Sequence, residues 1–265
     1  MLTLRAGRHG GNPLLRRRAG WLVDGAVRCE PTFSDLEPTS ETDVIVLLFD
    51  IDGTLIRSGG AGARATTIAM TRAFGIPDPQ GVPLHGCTDR GIARDLFALH
   101  GLPNDESNWE RFLAAYLEIL AEELPKSPGE VLPGVEPLLD RLGERDDVYL
   151  GLLTGNVRSG ARRKLEHYGL YHRFRDGGFG DHHPDRDDVA RQARRTVEAE
   201  LGPIPNERLW VIGDTPADVR CGRAIGARVL AVGTGGIDSH VLQATGPDLW
   251  LADLTEADRW LERLA

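Results

Sequence analysis

The sequence predicts an α/β protein: a doubly wound parallel sheet of the Rossmann-like type that carries an inserted helical domain. Apolar runs of strand length alternate with helix-length segments from about residue 43 onward. Several of these runs, such as "VIVLLF" and "LWVI", are apolar without alternation, as expected when helices cover both faces of a parallel sheet. A chain of 265 residues that is 41% hydrophobic can also bury a substantial core.

The chain begins with a segment, residues 1–42, that we expect to be a disordered or loosely packed extension. Its first 23 residues contain five arginines and no acidic residue. This composition is similar to that of a transit peptide, but the 23 residues contain no serine and show no clear amphipathic period. We therefore assign the folded core to begin near residue 43.

Six strands are predicted after the extension, and two of the later helices have clear end signals. In "TPADVRCGRAIG", Pro216 falls in the first turn of a helix and Gly226 lies past its last turn, while Thr255 is a candidate cap for the final helix. The predicted strands are Val44–Phe49, Val148–Leu153, Phe174–Phe179, Leu209–Ile212, Val229–Val232 and Leu249–Leu251.

The interval 59–133 interrupts this alternation, because it contains several helical patterns and no convincing strand. Its strongest helix is "SNWERFLAAYLEILAEEL", in which Ser107 and Glu110 have the spacing of a capping box. We predict that residues 59–133 form an inserted helical domain and that residues 43–58 and 134–265 form the core.

Composition excludes several classes of partner. The net charge of −9 makes nucleic acid and anionic lipid poor partners, although a small phosphorylated anion could bind a local basic pocket. No apolar run approaches the roughly 18 residues that a membrane span needs. The three cysteines, Cys29, Cys87 and Cys221, are odd in number and lack CxxC spacing, which favours a reducing compartment such as the cytoplasm.

Acidic residues follow two of the predicted strands directly. Asp50 and Asp52 come after the first strand, and Asp214 and Asp218 come after the fourth. The carboxyl ends of parallel strands meet at one edge of the sheet, so these carboxylates should converge there. Because like charges repel and an all-oxygen site suits Mg²⁺, we predict a bound magnesium ion.

This arrangement indicates phosphoryl transfer. An ionised Asp50 could attack phosphorus as a carboxylate nucleophile, and Asp52 could act as general acid and base, a role favoured if its pKa is raised. The alternative for these aspartates is a structural one, as caps of a helix or turn. The candidate phosphate-binding residues are Gly53, Thr54, Thr154, Gly155 and Asn156.

Three segments, "FDIDGTL", "LLTGN" and "VIGDTPADV", resemble the first, second and fourth motifs of the haloacid dehalogenase-like superfamily. The resemblance covers about residues 43–265, and the helical insertion resembles the C1-type cap of that family. By this resemblance, Asp50 and Asp214 would give side-chain ligands to Mg²⁺ and Asp52 its backbone carbonyl. Asp218 would make a supporting or water-mediated contact.

The third motif departs from the family pattern, which usually has a lysine there. The corresponding loop reads "FGDHHPDRDDV" and contains no lysine. Arg186, just before a predicted helix, could replace the lysine and bind phosphate with its guanidinium group. Lys164, on the helix after the second motif, is the competing candidate, and the alternative for both is a surface cation.

The inserted domain should determine the choice of substrate. The segment "HGCTDRGI", which includes Thr88 and Asp89, resembles a cap segment of phosphoglycolate phosphatase-like and phosphoglucomutase-like relatives. Thr88 could contact the leaving group, or it could simply cap the helix that begins near Asp89. A small phosphorylated metabolite suits a helical cap of this size.

The function expected from these features is Mg²⁺-dependent hydrolysis of a small phosphomonoester through an aspartyl-phosphate. A phosphomutase of the β-phosphoglucomutase type is the enzymatic alternative, and release of inorganic phosphate would distinguish the two. A non-enzymatic module that accepts phosphate on aspartate, or only binds, is a third hypothesis, although the inserted domain and Asp52–Gly53 argue against it.

Overall fold

The computed structural model describes residues 43–264, so the predicted extension 1–42 lies outside the described residues. No helix within residues 43–264 is both long and apolar enough to cross a membrane. In chain order the elements are β1 (Ile45–Phe49), β2 (Ile56–Arg57), α1 (Ala61–Phe74), α2 (Asp89–Leu99), α3 (Glu106–Glu123), β3 (Glu130–Val131), α4 (Val135–Gly143), β4 (Val148–Leu153), α5 (Arg158–His167), β5 (Gly177–Gly178), α6 (Arg186–Leu201), β6 (Leu209–Gly213), α7 (Pro216–Ala224), β7 (Arg228–Val232), α8 (Ser239–Ala244), β8 (Leu249–Leu251) and α9 (Asp258–Leu261).

The main sheet confirms the predicted α/β class. Its six strands are parallel and lie in the order β5-β4-β1-β6-β7-β8. The chain moves outward from β1 through β4 to β5 and then returns to place β6 on the other side of β1. The direction of winding therefore reverses between β1 and β6, and ligands bind at such a switch point in open α/β sheets.

Helices cover both faces of this sheet, which explains why its strands are apolar throughout. Along β1, Ile45, Leu47 and Phe49 join the hydrophobic cluster that includes α4 and α9. Val46 and Leu48 point to the opposite cluster, formed with α6 and α7. Successive side chains of a strand alternate between faces, so both sets must be apolar when both faces are buried.

Helices α1, α2 and α3 have a hydrophobic cluster of their own. It is built from Ala65 and Met70 of α1, Phe97 of α2, and Phe112 and Tyr116 of α3. These side chains recur at helical spacing, as in any amphipathic helix that buries one face. The helical segment thus forms a separate layer beside the main sheet.

The structure adds one strand that was not predicted and shortens one that was. A two-stranded antiparallel ribbon joins β2 to β3, so the interval 59–133 does contain a strand, Glu130–Val131. Two-residue strands are too short to show a period of two in the sequence. The predicted strand Phe174–Phe179 pairs only at Gly177–Gly178, because the chain around Phe174 leaves a 3₁₀ turn over Tyr171–Arg173 and joins the edge of the sheet late.

Two predicted helix starts are also wrong. Asp105, and not Ser107, caps α3 by accepting a hydrogen bond from the Asn108 backbone N–H at 2.9 Å. Near the C-terminus, Asp253 caps a 3₁₀ turn by accepting from the backbone N–H of Thr255, and α9 begins only at Asp258. In both places an aspartate just upstream takes the capping position. The end signals of α7 are confirmed, since the helix runs from Pro216 to Ala224 and Gly226 has φ of 72°.

Candidate active site

The end of β1 and the end of β6 bring two aspartates to the switch point. The Asp50 backbone N–H donates to the Ile212 carbonyl at 2.9 Å, which continues the β1–β6 ladder up to the first acidic residue. Asp214 follows β6 in the same way. Oxygen atoms of Asp50, Asp214 and Asp218 all lie within 4.8 Å of one another, and the three side chains are buried.

Two glycines make room for the Asp214 carboxylate. A Cβ on Gly53 or on Gly235 would overlap the Asp214 side chain, and Gly53 also has φ of 89°, which favours glycine. The Thr54 hydroxyl donates to Asp214 Oδ1 at 2.9 Å. Thr54 was predicted to bind phosphate; the structure places its hydroxyl on Asp214, where it orients the carboxylate.

The electrostatics of this cluster suit a divalent cation. Burial, followed by the charges of Asp218 and Asp50, raises the pKa of Asp214 well above its usual range. Burial likewise raises the pKa of Asp50 to about 6, although Arg186 opposes the shift. Crowded buried carboxylates hold their protons because their charges are not neutralised. A cation with hard oxygen preferences would relieve this repulsion, so the donor set fits Mg²⁺.

Arg186 lies directly on the candidate nucleophile. As the first residue of α6, its guanidinium Nη2 lies 2.9 Å from Asp50 Oδ1 and 2.5 Å from Asp218 Oδ1. Burial opposes its charge, but Asp218 and Asp50 outweigh this effect and hold its pKa well above its ordinary value. Arg186 therefore supplies a fixed positive charge next to Asp50.

Asp218 has a structural task in addition to its contact with Arg186. Its Oδ2 accepts from the backbone N–H of Thr215 at 2.9 Å, and the Thr215 hydroxyl accepts in return from the Asp218 N–H at 3.3 Å. The pair forms a complete capping box at the start of α7. The carboxylate thus fixes the loop that presents Asp214.

Lys164 extends from α5 to a different aspartate. Its Nζ lies 2.5 Å from Asp52 Oδ2 and 2.7 Å from Asn156 Oδ1, and the Asn156 amide also donates to Asp52 at 2.9 Å. Burial raises the pKa of Asp52, but Lys164, Asn156 and Ser58 more than offset it, so the net pKa is lowered. The raised pKa that would favour the acid–base role of Asp52 is therefore not found, because a buried lysine stabilises its ionised form.

The loop after β4 contributes the remaining predicted phosphate-binding groups. The Thr154 hydroxyl accepts from the Asn156 side-chain amide at 2.8 Å, which leaves its own hydrogen free to donate. Gly155 lies against the carbonyl of Cys87, where a Cβ would overlap it. Thr154, Gly155, Asn156 and Gly53 all line the cavity described below.

Thr88 and Asp89, the two residues of the inserted helical domain that the sequence singled out, lie in different surroundings. Thr88 is buried, and its hydroxyl accepts from the Gly91 backbone N–H at 3.0 Å as the N-cap of α2, which is the structural alternative. Asp89 lines the cavity. It also joins the helical layer to the core, since its N–H donates to the Gly155 carbonyl at 2.7 Å and its Oδ2 accepts from Val157 N–H at 2.8 Å.

A cavity of about 440 Å³ connects the acidic cluster with the helical layer. Its phosphate-side wall contains Asp50, Asp52, Arg186 and Asp214, and neither Asp218 nor Thr54 reaches the surface of the cavity. Residues on the helical side that the sequence did not single out are Gly62, Thr66, His85, Ile92 and Tyr116. Tyr116 was assigned to the apolar stripe of its helix, and nothing in that periodicity shows that its hydroxyl lines a cavity.

Comparison with known proteins agrees with this geometry. Residues 47–223 match the family model described as haloacid dehalogenase-like hydrolase. The chain is 32% identical over 218 residues to a phosphoglycolate phosphatase of Chromobacterium violaceum, a match that covers 78% of this chain and 92% of the relative. It is 28% identical to a phosphoglycolate phosphatase of Rhodospirillum rubrum, over 71% and 79% of the two chains.

Solved structures show the same fold. CbbY from Rhodobacter sphaeroides, solved in complex with phosphate, aligns with a TM-score of 0.63 at 18% identity and covers 81% of this chain and 96% of its own. With the acidic cluster, the family match and the relatives taken together, the chain belongs to the haloacid dehalogenase-like hydrolases, and within them to the phosphatases that hydrolyse phosphoric monoesters.

Proposed function

We propose that the protein hydrolyses small phosphomonoesters in two steps, with Asp50 as nucleophile and an aspartyl-phosphate as intermediate. The observation that carries the proposal is the meeting of Asp50 and Asp214 at the switch point, next to the buried Arg186 and open to a cavity. Phosphoglycolate is the first substrate to test, because the relatives in C. violaceum and R. rubrum have the name phosphoglycolate phosphatase.

In the first step, an Asp50 carboxylate oxygen attacks phosphorus and the bond to the leaving oxygen breaks. Arg186 offsets the charge that builds up on Asp50 and the phosphoryl oxygens. The Thr154 hydroxyl and the Gly155 backbone N–H offer hydrogen bonds to those oxygens, whereas the Gly53 N–H is already donated to the Ile56 carbonyl at 2.8 Å. In the second step, water attacks the same phosphorus and releases phosphate.

Asp52 is placed to handle protons in both steps. In its ionised state, which Lys164 stabilises, it can accept a proton from the attacking water. To protonate the leaving oxygen, it must first gain a proton. The arrival of a phosphate dianion favours this, since a nearby negative charge raises the pKa of a carboxyl group.

Mg²⁺ is part of the proposal. Asp50 and Asp214 would hold it through their side chains and Asp52 through its carbonyl, with Asp218 in support, and the ion would neutralise charge on the phosphate. We further propose a cytoplasmic location, which rests on the cysteine pattern of the sequence.

The direct test is release of inorganic phosphate from a panel of phosphorylated metabolites, with Mg²⁺ and with EDTA in its place. We expect release that depends on Mg²⁺ and is lost in Asp50→Asn. A protein that converts one hexose phosphate into its isomer without releasing phosphate would instead support the phosphomutase alternative. Phosphorylation of Asp50 without turnover would support a phospho-accepting module.

A further inference from the structure

The turn that joins β7 to α8 has the sequence "GTGG" and reaches the acidic cluster. Its first three residues, Gly233–Gly235, form a single 3₁₀ turn. Thr234 and Gly235 line the cavity together with Asp214. This β7–α8 turn contains no charged side chain, so any effect that it has on the chemistry must come from where it holds its neighbours.

The Thr234 side chain connects the β7–α8 turn to the loop after β1. Its hydroxyl donates to the Gly53 carbonyl at 2.5 Å, although the two residues are 181 positions apart in the sequence. Among residues 43–264, this is the only hydrogen bond that the Gly53 carbonyl accepts. The Thr234 hydroxyl therefore fixes the backbone one residue after Asp52.

The backbone of Gly235 limits the position of the Asp214 carboxylate. A Cβ on Gly235 would overlap Asp214 Oδ2, and a Cβ on Gly53 would overlap the same oxygen. The two glycines also face each other, since a Cβ on Gly53 would lie 2.9 Å from the Gly235 Cα. Asp214 Oδ2 thus lies between two backbone segments, while Oδ1 accepts from the Thr54 hydroxyl. The carboxylate has little room to rotate.

The hydrogen bond and the glycine packing together join the two loops that would hold the metal. In the proposed site, Asp214 gives a side-chain oxygen and Asp52 its backbone carbonyl. Mg²⁺ tolerates little departure from octahedral geometry, so both ligands must keep a constant separation. Groups that orient metal ligands typically change metal affinity 10–100-fold when they are removed.

We propose that Thr234 is a positioning residue for the magnesium site, and that the β7–α8 turn sets the distance between the Asp52 carbonyl and the Asp214 carboxylate. This inference rests on the Mg²⁺ site of the proposed function. Thr234 acts through Gly53, whose backbone it holds. Gly235 has the complementary task, because its lack of a side chain lets the turn approach Asp214.

Thr234→Val tests the hydrogen bond, since valine keeps the shape of threonine and removes only the hydroxyl. The Mg²⁺ dissociation constant, measured by isothermal titration calorimetry without substrate, should rise about tenfold. With the best substrate of the panel, the Mg²⁺ concentration that gives half-maximal activity should rise by a similar factor. KM at saturating Mg²⁺ should change less than about twofold, because no contact with substrate is lost.

Two further variants control for other effects of this change. Thr234→Ser keeps the hydroxyl and should return the Mg²⁺ dissociation constant to within about twofold of the wild type. Thr67→Val, at an exposed position of α1, is the matched control. The Thr67 hydroxyl donates only within its own helix, to the Ala63 carbonyl at 3.2 Å, so its loss should leave Mg²⁺ binding unchanged.

Gly235→Ala tests the packing, because it adds a methyl group against Asp214 Oδ2. Gly235 does not have a positive φ, so alanine does not strain the backbone. We expect this variant to lose the rise in melting temperature that Mg²⁺ causes in the wild type. Gly81→Ala is the matched control, since a Cβ on Gly81 would have no atom within 4 Å.

The outcomes separate this inference from the function on which it rests. A purely structural Thr234 would lower the melting temperature in Thr234→Val and leave the Mg²⁺ dissociation constant unchanged, and that result overturns the inference. A wild type that does not bind Mg²⁺ overturns it too. Calorimetry needs no turnover, so a shifted constant in a protein that releases no phosphate contradicts the proposed hydrolysis and leaves the role of Thr234 standing.

Discussion

At the scale of single residues, the two buried cations of the site divide the acidic groups between them. Arg186 contacts Asp50, whereas Lys164 contacts Asp52. This division favours Arg186 for the role that a lysine has in the third motif of the family, since only Arg186 touches the candidate nucleophile. Lys164 instead contacts Asp52 and lines the cavity.

The first prediction compares these two cations. Arg186→Ala should lower kcat by about 100-fold or more, a typical loss when a charge that stabilises the transition state is removed. Lys164→Ala should lower kcat clearly less. Steady-state kinetics with one substrate measure both, and Arg186→Lys, which keeps a buried charge, controls for loss of the fold. The reverse ranking would assign the third-motif role to Lys164.

The second prediction concerns Asp214. Asp214→Asn keeps an acceptor for the Thr54 hydroxyl but removes one of the crowded charges, so the metal-free protein should melt at the same or a higher temperature. Phosphatase activity should be lost. Differential scanning calorimetry with and without Mg²⁺ should show stabilisation by the ion in the wild type only. A destabilised variant that still responds to Mg²⁺ would argue that Asp214 is structural.

At the scale of elements, helix starts are decided by single side chains that compete for one position. Ser107 and Glu110 have the spacing of a capping box, yet the N-cap of α3 lies two residues upstream of Ser107, at Asp105. An ionised aspartate accepts a backbone hydrogen bond at least as well as serine and also interacts favourably with the positive end of the helix dipole. The upstream cap therefore adds two residues of helix, Glu106 and Ser107.

The third prediction uses this competition. Asp105→Ala should lower the free energy of unfolding by about 1 kcal/mol, the usual loss for an N-cap side chain. Ser107→Ala, at an exposed position inside the first turn, is the matched control and should change it by less than about 0.5 kcal/mol. Urea unfolding followed by circular dichroism measures both. A larger effect of Ser107→Ala would restore the capping box predicted from the sequence.

At the scale of the whole molecule, the acidic cluster joins the two halves of the sheet. Asp50 belongs to the half formed by β1, β4 and β5, and Asp214 to the half formed by β6, β7 and β8. Repulsion between these two carboxylates acts across the switch point, so a bound cation would stabilise the entire fold as well as the chemistry.

The fourth prediction follows from the raised pKa of Asp50. An acid with a higher pKa in the folded state stabilises the fold when it is protonated, so stability is lost as the pH rises from about 4 through about 6. A shift of this size corresponds to up to about 3 kcal/mol. Melting temperatures in EDTA should therefore fall between about pH 4 and pH 6, and Mg²⁺ should reduce this fall. A flat profile in EDTA would contradict the raised pKa of Asp50, which burial causes first and the neighbouring aspartates increase.

Much of the fold was determined by the sequence alone. Strand β1 is apolar on both faces because both faces are buried, and this pattern predicted the α/β class. Asp50 and Asp52 follow the strand directly, so the same segment also indicated the candidate nucleophile. The same local logic predicted the acidic residues after β6. These features depend on residues that are adjacent in the chain. The periodicity and composition of the sequence can therefore predict them.

Only the tertiary structure decided which side chains meet. The pairing of β2 with β3, the contact of Lys164 with Asp52, and the position of the Tyr116 hydroxyl in the cavity all join parts of the chain far apart in sequence. Helix periodicity shows that Tyr116 is buried but cannot show what its hydroxyl faces. Contacts of this kind depend on how elements pack, and packing is a property of the folded chain as a whole.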